Sequence, residues 1–152
     1  MKEWLLKKGI SLNVVIEQKD FILSNSGAFT KNTLFQDQLI EKYDYIISNP
    51  PYFKISKSDN RVQVAQELVY GQPNIYSLFM PHAVEVLNDD GAFYVWYADA
   101  TATATATEDA GLKITAQIIW AKNHAQFMSS AKYKGKHEPC FYAHKKGKSA
   151  KW

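Results

Sequence analysis

Asn49, Pro50, Pro51 and Tyr52 are the residues of this chain whose types and spacing best suit chemistry. An Asn side-chain oxygen and the carbonyl of the proline after it can accept both hydrogens of an NH2 group, leaving its lone pair aimed at an incoming electrophile. Tyr52 adds an aromatic face on which a flat ring can stack. The chemistry this suits is transfer to an exocyclic amine, driven by positioning, with no need of a metal or a covalent nucleophile. Two successive prolines remove backbone donors and helical freedom, so they hold Asn49 and Tyr52 in a stiff extended turn.

The motif needs a strand to carry it. Tyr43-Asp44-Tyr45-Ile46-Ile47 is a short β-branched and aromatic run that reads as a buried strand, and the motif follows its carboxyl end. In open α/β sheets that edge is where ligands bind. Upstream, residues 2–8 read as the last turns of a helix stopped by Gly9, and residues 12–17 as another strand, followed by Asp20 and Phe21. An acid just past a strand end can receive a ribose or an adenine amine; more often it caps a helix or forms a turn. Residues 24–33 are rich in Ser, Asn, Gly and Thr and read as a surface loop, and residues 34–42 as a short helix or an irregular approach.

Downstream, residues 61–70 have helical spacing, Gly71-Gln72-Pro73 breaks that helix, and Asn74 caps a second one that runs to Leu87 and ends at Asn88-Asp89-Asp90-Gly91. Residues 91–97 form a dense aromatic strand. Residues 100–107 alternate Ala and Thr with no large side chain. They offer no face for a core, tolerate a helix closed by Gly111, read as a degenerate or engineered replacement, and carry no assigned function. Residues 112–120 alternate as a strand, with Ile114, Ala116, Ile118 and Trp120 on one side. A basic connection over 122–135 then leads to a last strand at 138–143, the second arm of a long hairpin.

The chain has 152 residues, one domain's worth, and a net charge of +3 in which Arg61 is the single arginine. Lysines thicken toward the carboxyl end, which suits a polyphosphate partner or a solvated surface equally. Cys140 is the single cysteine, which excludes an internal disulfide and a multi-cysteine metal site. His137 and Cys140 have a spacing that some metal sites use. Without further cysteines they read as a strand-end His and a buried Cys, and no metal is expected. No apolar run approaches membrane-spanning length and no charged-then-apolar leader opens the chain, so the expectation is a cytoplasmic protein with no membrane partner.

Placed after Tyr-Asp-Tyr-Ile-Ile-Ser, the sequence Asn49-Pro50-Pro51-Tyr52 resembles the motif of amino-methyltransferases that use S-adenosylmethionine (AdoMet) to methylate adenine or cytosine amines in DNA, and less often guanine amines in RNA or glutamine amides in protein. Asp20-Phe21 is similar to the motif whose acid meets the adenine of the cofactor. The segment from Phe53 to Asp59, followed by Gly71-Gln72-Pro73-Asn74-Ile75-Tyr76-Ser77-Leu78-Phe79-Met80, resembles restriction-modification adenine methyltransferases of the Eco57I type. Residues 91–97, 119–123, 136–140 and 148–152 are similar to the family of amino-DNA-methylases that modify adenine or cytosine. The resemblance implies double-stranded DNA as partner, with an adenine flipped from the stack. It assigns Asn49 and the Pro50 carbonyl to the amine, Pro51 to the shape of the turn, Tyr52 to stacking and Phe53 to the side of the pocket. Lys54, Lys57, Lys132, Lys134 and Lys136 become candidate phosphate contacts.

The same resemblance exposes a gap. Both families have a glycine-rich AdoMet loop, and no Gly-x-Gly occurs in these 152 residues. Against the seven-stranded order 3-2-1-4-5-7-6, strands three to seven are assignable and the first two are missing. The expectation is an α/β, partial Rossmann-like class I methyltransferase sheet with a C-terminal antiparallel hairpin. Residues 1–152 would make a single incomplete catalytic domain, with the Asn-Pro-Pro-Tyr half at 1–90 and the last strands and basic loop at 91–152. Such a fragment or chimera would look to a complementary chain for the AdoMet-binding half. A non-catalytic nucleic-acid-binding remnant, or an enzyme acting on an RNA amine or a protein glutamine, are the alternative readings.

Overall fold

A computed structural model describes residues 7–9, 13–25, 41–51, 53–65, 73–98, 100–124 and 135–151. The elements, in order, are α1 (Phe21–Ser24), β1 (Tyr43–Ser48), α2 (Asn60–Val64), α3 (Ile75–Val86), β2 (Leu87–Trp96), α4 (Ala100–Asp109), β3 (Leu112–Ala121) and β4 (His137–Lys145). The four strands form one sheet in the order β1-β2-β4-β3. β1 runs parallel to β2, and β4 is antiparallel to both β2 and β3. This is the expected α/β sheet with its antiparallel hairpin, and its order matches strands four, five, seven and six.

One face of the sheet is packed by helices. Tyr76, Met80 and Ala83 of α3 bury against Leu87, Phe93, Val95, Leu112 and Ala143. Register places Ile46 beside Phe93, so the inward residues of β1 join the same layer, while Tyr43, Tyr45 and Ile47 point to the other face and are exposed. A second cluster of Ile22, Ile55, Val62, Ala65, Ile75 and Leu78 lies under the segment after Pro51. Phe79 of α3 packs against both clusters and ties them together.

Several expectations need correction. Residues 13–17 are not a strand: they have no secondary structure and Ile16 is 91% exposed. A strand needs a neighbour to pair its N–H and C=O groups, and among the described residues the outer edge of β1 meets none. So strand three of the expected sheet is not formed over residues 13–17, and among the described residues four strands stand where five were assigned. The Ala/Thr segment does have a core face. It is helix α4, Thr103 and Thr107 are fully buried, and Ala106 and Ala110 pack on the main core. Small side chains let this helix sit close against α3 and β3. Gly111 closes it at φ +94°, a conformation a side chain rarely adopts.

Ile114 does not share a side with Ala116, Ile118 and Trp120. Ile114 pairs with Ala143 and Ala116 with Tyr142, so Thr115 is an extra residue in β3. That bulge shifts the alternation and turns Ile114 into the core while the other three face away. Residues 88–91 belong to β2, which starts directly after α3, and the spare residues are absorbed by a register shift between Tyr43 and Tyr45. α2, Asn60–Val64, takes in residues 61–64 of the helix expected over 61–70. The helix expected over 2–8, except for Lys7 and Lys8, lies outside the described residues. So do the 24–33 loop beyond Asn25, residues 34–40, and positions 125–134 with Lys132 and Lys134.

Candidate functional site

The carboxyl ends of β1, β2 and β3 and the amino end of β4 meet at one edge of the sheet. Asn49 follows β1 directly at that edge. Pro50 is buried and Pro51 exposed, so the first proline anchors the turn while the second faces solvent. Tyr52 lies outside the described residues. A cleft of about 690 Å³ runs along this edge, lined by Asn49 from β1, by Trp96, Tyr97 and Ala98 from the end of β2, by Trp120 of β3, and by His137, Glu138 and Pro139 of β4.

The segment beyond the prolines is clamped to the start of α3. The Ile75 amide donates to the Phe53 carbonyl at 3.3 Å, the Ile55 amide to the Pro73 carbonyl at 3.2 Å, and Lys54 bridges Asn74. Asn74 meanwhile caps α3, accepting from the Tyr76 amide at 2.9 Å. The helix start read from the sequence is therefore also the clamp that fixes Phe53.

Asp20 and Phe21 are brought to this segment. Asp20 caps α1 through a 3.0 Å hydrogen bond from the Leu23 amide, and its other oxygen lies 3.7 Å from Arg61. The Arg61 guanidinium is 5.9 Å from the centre of the Phe53 ring and is held by Asp59. One arginine thus links the candidate cofactor acid to the residue that follows the motif. Phe21 stacks obliquely on Phe79, ring centres 4.9 Å apart. Lys54 and Lys57, which follow the motif, are exposed.

The rest of the cleft carries the rings of Trp96, Tyr97 and Trp120 and the Lys122–Glu138 ion pair. Tyr97 stacks on Phe141 at 4.1 Å, and Gln117 donates to its hydroxyl. Lys122 is paired with Glu138 and lies over Trp120. Cys140 is free and buried, and burial pushes its thiol pKa up, which makes it a packing residue. Trp96, Tyr97, Trp120 and Glu138 escaped assignment from sequence as site residues. The available signal was positional, since each lies at the end of a strand that reaches the ligand-binding edge.

A family model described as Eco57I restriction-modification methylase matches residues 3–108. No curated protein matches the chain. Among solved structures, M1.HpyAVI in complex with SAM is 19% identical with a TM-score of 0.53, covering 86% of this chain and 54% of that one. M1.HpyAVI alone is 18% identical with a TM-score of 0.53, covering 88% and 55%. The chain spans about half the length of these structures, and what it shares with them is the class I methyltransferase fold.

Proposed function

The chain belongs to the Eco57I restriction-modification methylase family, and from that membership we propose that it carries the target-amine side of an AdoMet-dependent DNA adenine methyltransferase. The observation that supports this most directly is the position of Asn49, at the carboxyl end of β1 and on the wall of the edge cleft. A flipped adenine entering that cleft would present its amine to the Asn49 side-chain oxygen and the Pro50 carbonyl. Both are acceptors, so they orient the nitrogen lone pair and stabilise the positive charge that grows on the amine during transfer. Pro51 keeps the turn extended, Tyr52 stacks on the base and Phe53 closes its side. Lys54, Lys57, Lys132 and Lys134 hold backbone phosphates.

The residues at α1 fit the adenine end of AdoMet. Asp20 keeps lone pairs beyond the one used for capping, and its side chain is 38% exposed. Phe21 borders it. When bound, the group supplies a methyl on a sulfonium. The protein side of the reaction is geometric: Arg61 spans Asp20 and Phe53, so the cofactor acid and the base-holding segment share one support. A complementary chain or segment would supply the remainder of the cofactor site along the edge of β1 that no described strand pairs.

The test is calorimetric titration of AdoMet into the folded chain, followed by transfer of labelled methyl to an adenine-containing duplex, each with Asn49→Ala in parallel. Specific AdoMet binding and adenine labelling that falls about 100-fold or more in Asn49→Ala support the reading. A folded chain that does not bind AdoMet overturns the claim that it is an enzyme by itself and leaves it as half of one. The absence of Gly-x-Gly favours a second reading in that event, a nucleic-acid-binding remnant whose DNA affinity falls with salt and is indifferent to AdoMet.

A further inference from the structure

Trp120 stands at the lip of the cleft on β3, an edge strand, and is 58% exposed. Ile118 and Ile119 beside it are also exposed, so the end of β3 shows apolar side chains on both faces. The surroundings of the indole are nonetheless ordered. The Lys122 ammonium lies 5.9 Å from the ring centre, and it is paired with Glu138, which stands opposite Trp120 in the β3–β4 ladder. A ring already held from one side by a cation loses little freedom when a second ring arrives on the other.

We propose that Trp120 is a stacking platform for a nucleobase flanking the one held at Asn49, with Lys122 and Glu138 setting the plane of the indole. The inference rests on the reading of the cleft as the target-base site and adds a second ring subsite to it. The order β1-β2-β4-β3 puts three strand spacings, roughly 14 Å, between Asn49 and Trp120. Stacked rings have centres within about 7 Å of each other. One base therefore does not serve both residues, and the ring on Trp120 belongs to a neighbouring nucleotide of the same strand. Every base has a π-face, so this platform strengthens binding without choosing sequence.

The experiment is an anisotropy titration of the 152-residue chain into a labelled single-stranded oligodeoxynucleotide with one adenine, repeated with abasic sites placed singly on either side of it. Trp120→Ala weakens binding about tenfold, and Trp120→Phe stays within about threefold of the parent. An abasic site at one flanking position weakens the parent by a similar factor and leaves Trp120→Ala unchanged. Binding by Trp120→Ala within about twofold of the parent overturns the proposal, as do equal losses in the Ala and Phe variants or an abasic effect that adds fully to Trp120→Ala. If Asn49→Ala weakens binding and Trp120→Ala does not, the platform falls and the reading of the cleft stands. If the parent chain binds no oligonucleotide, both fall.

Discussion

Arg61 grips Asp59 through two parallel hydrogen bonds, Nε to Oδ1 at 2.9 Å and Nη2 to Oδ2 at 2.6 Å. The Arg61 amide adds a third at 2.9 Å, so the carboxylate that caps α2 also fixes the guanidinium beside Phe53. The Arg61 side chain, then its backbone amide, lower the Asp59 pKa to about 2. A carboxyl whose folded-state pKa lies below its unfolded value of about 3.9 contributes stability in full above that value and loses it as pH falls through the folded one. Urea denaturation from pH 5 to pH 2 will show a declining stability that Asp59→Asn flattens. At pH 7 the Asn variant, which keeps the cap, will be less stable by about 1 kcal/mol. Identical acid limbs in the two proteins would remove Asp59 from the explanation.

His82 predicts a second pH dependence at milder acidity. It is fully buried in α3, with Nδ1 2.6 Å from the Leu78 carbonyl. Burial lowers its pKa, and the Leu78 carbonyl and the charges of Asp20 and Glu85 only partly oppose that. A histidine with a depressed folded-state pKa binds fewer protons folded than unfolded, so stability falls as pH drops below about 6.5. Denaturation midpoints between pH 8 and pH 5 should decline in the parent and stay flatter in His82→Gln. Parallel slopes would assign the effect to another group.

The Ala/Thr helix makes a prediction of opposite signs. The Thr107 hydroxyl donates to the Thr103 carbonyl one turn earlier at 2.7 Å, whereas Thr103 Oγ1 is buried with no hydrogen-bond partner among the described residues. Replacing a buried unpartnered hydroxyl by a methyl removes a desolvation penalty. Thr103→Val is expected to stabilise the chain by about 1 kcal/mol, and Thr107→Ala to destabilise it by about 1–2 kcal/mol through the void it leaves. Chemical denaturation of the two variants checks both, and a destabilised Thr103→Val would mean that its hydroxyl is satisfied in solution.

Local chemistry made part of this molecule legible in its sequence. Asn74 capped the predicted helix because Asn followed by a helical period is a local signal, and Gly111 closed α4 for the same reason. Asn49 fell at a strand end because prolines cannot continue one. What escaped depends on partners distant in sequence. Residues 12–17 have the composition of a strand, but pairing decides whether a strand exists, and β1 offers them none among the described residues. The Thr115 bulge is set by the pairing with β4, where Tyr142 lies 27 residues on, so the sequence alternation put Ile114 on the wrong face. The same holds for the cleft. Trp120 and Glu138 meet only through the hairpin register, which no local pattern specifies.

Gly91 ties the stability of the sheet to the position of Asn49. A Cβ added there would lie 2.7 Å from Leu87 Cδ1 and 3.0 Å from the backbone oxygen of Asp44 in β1. Leu87 is fully buried in the main core and cannot swing aside, so β1 must shift outward. Gly91→Ala is expected to cost about 1–3 kcal/mol. Because β1 leads directly into Asn49, the variant should also weaken the proposed methyl transfer beyond what its lower stability explains. Gly111→Ala is the control. Its Cβ would meet nothing within 4 Å, so only the left-handed backbone is strained, at a cost of about 1 kcal/mol. Gly111 sits where α4 turns into β3, away from β1, so activity per folded molecule should be unchanged. Equal losses of activity in the two variants at matched folded fractions would break the link between Gly91 and the site.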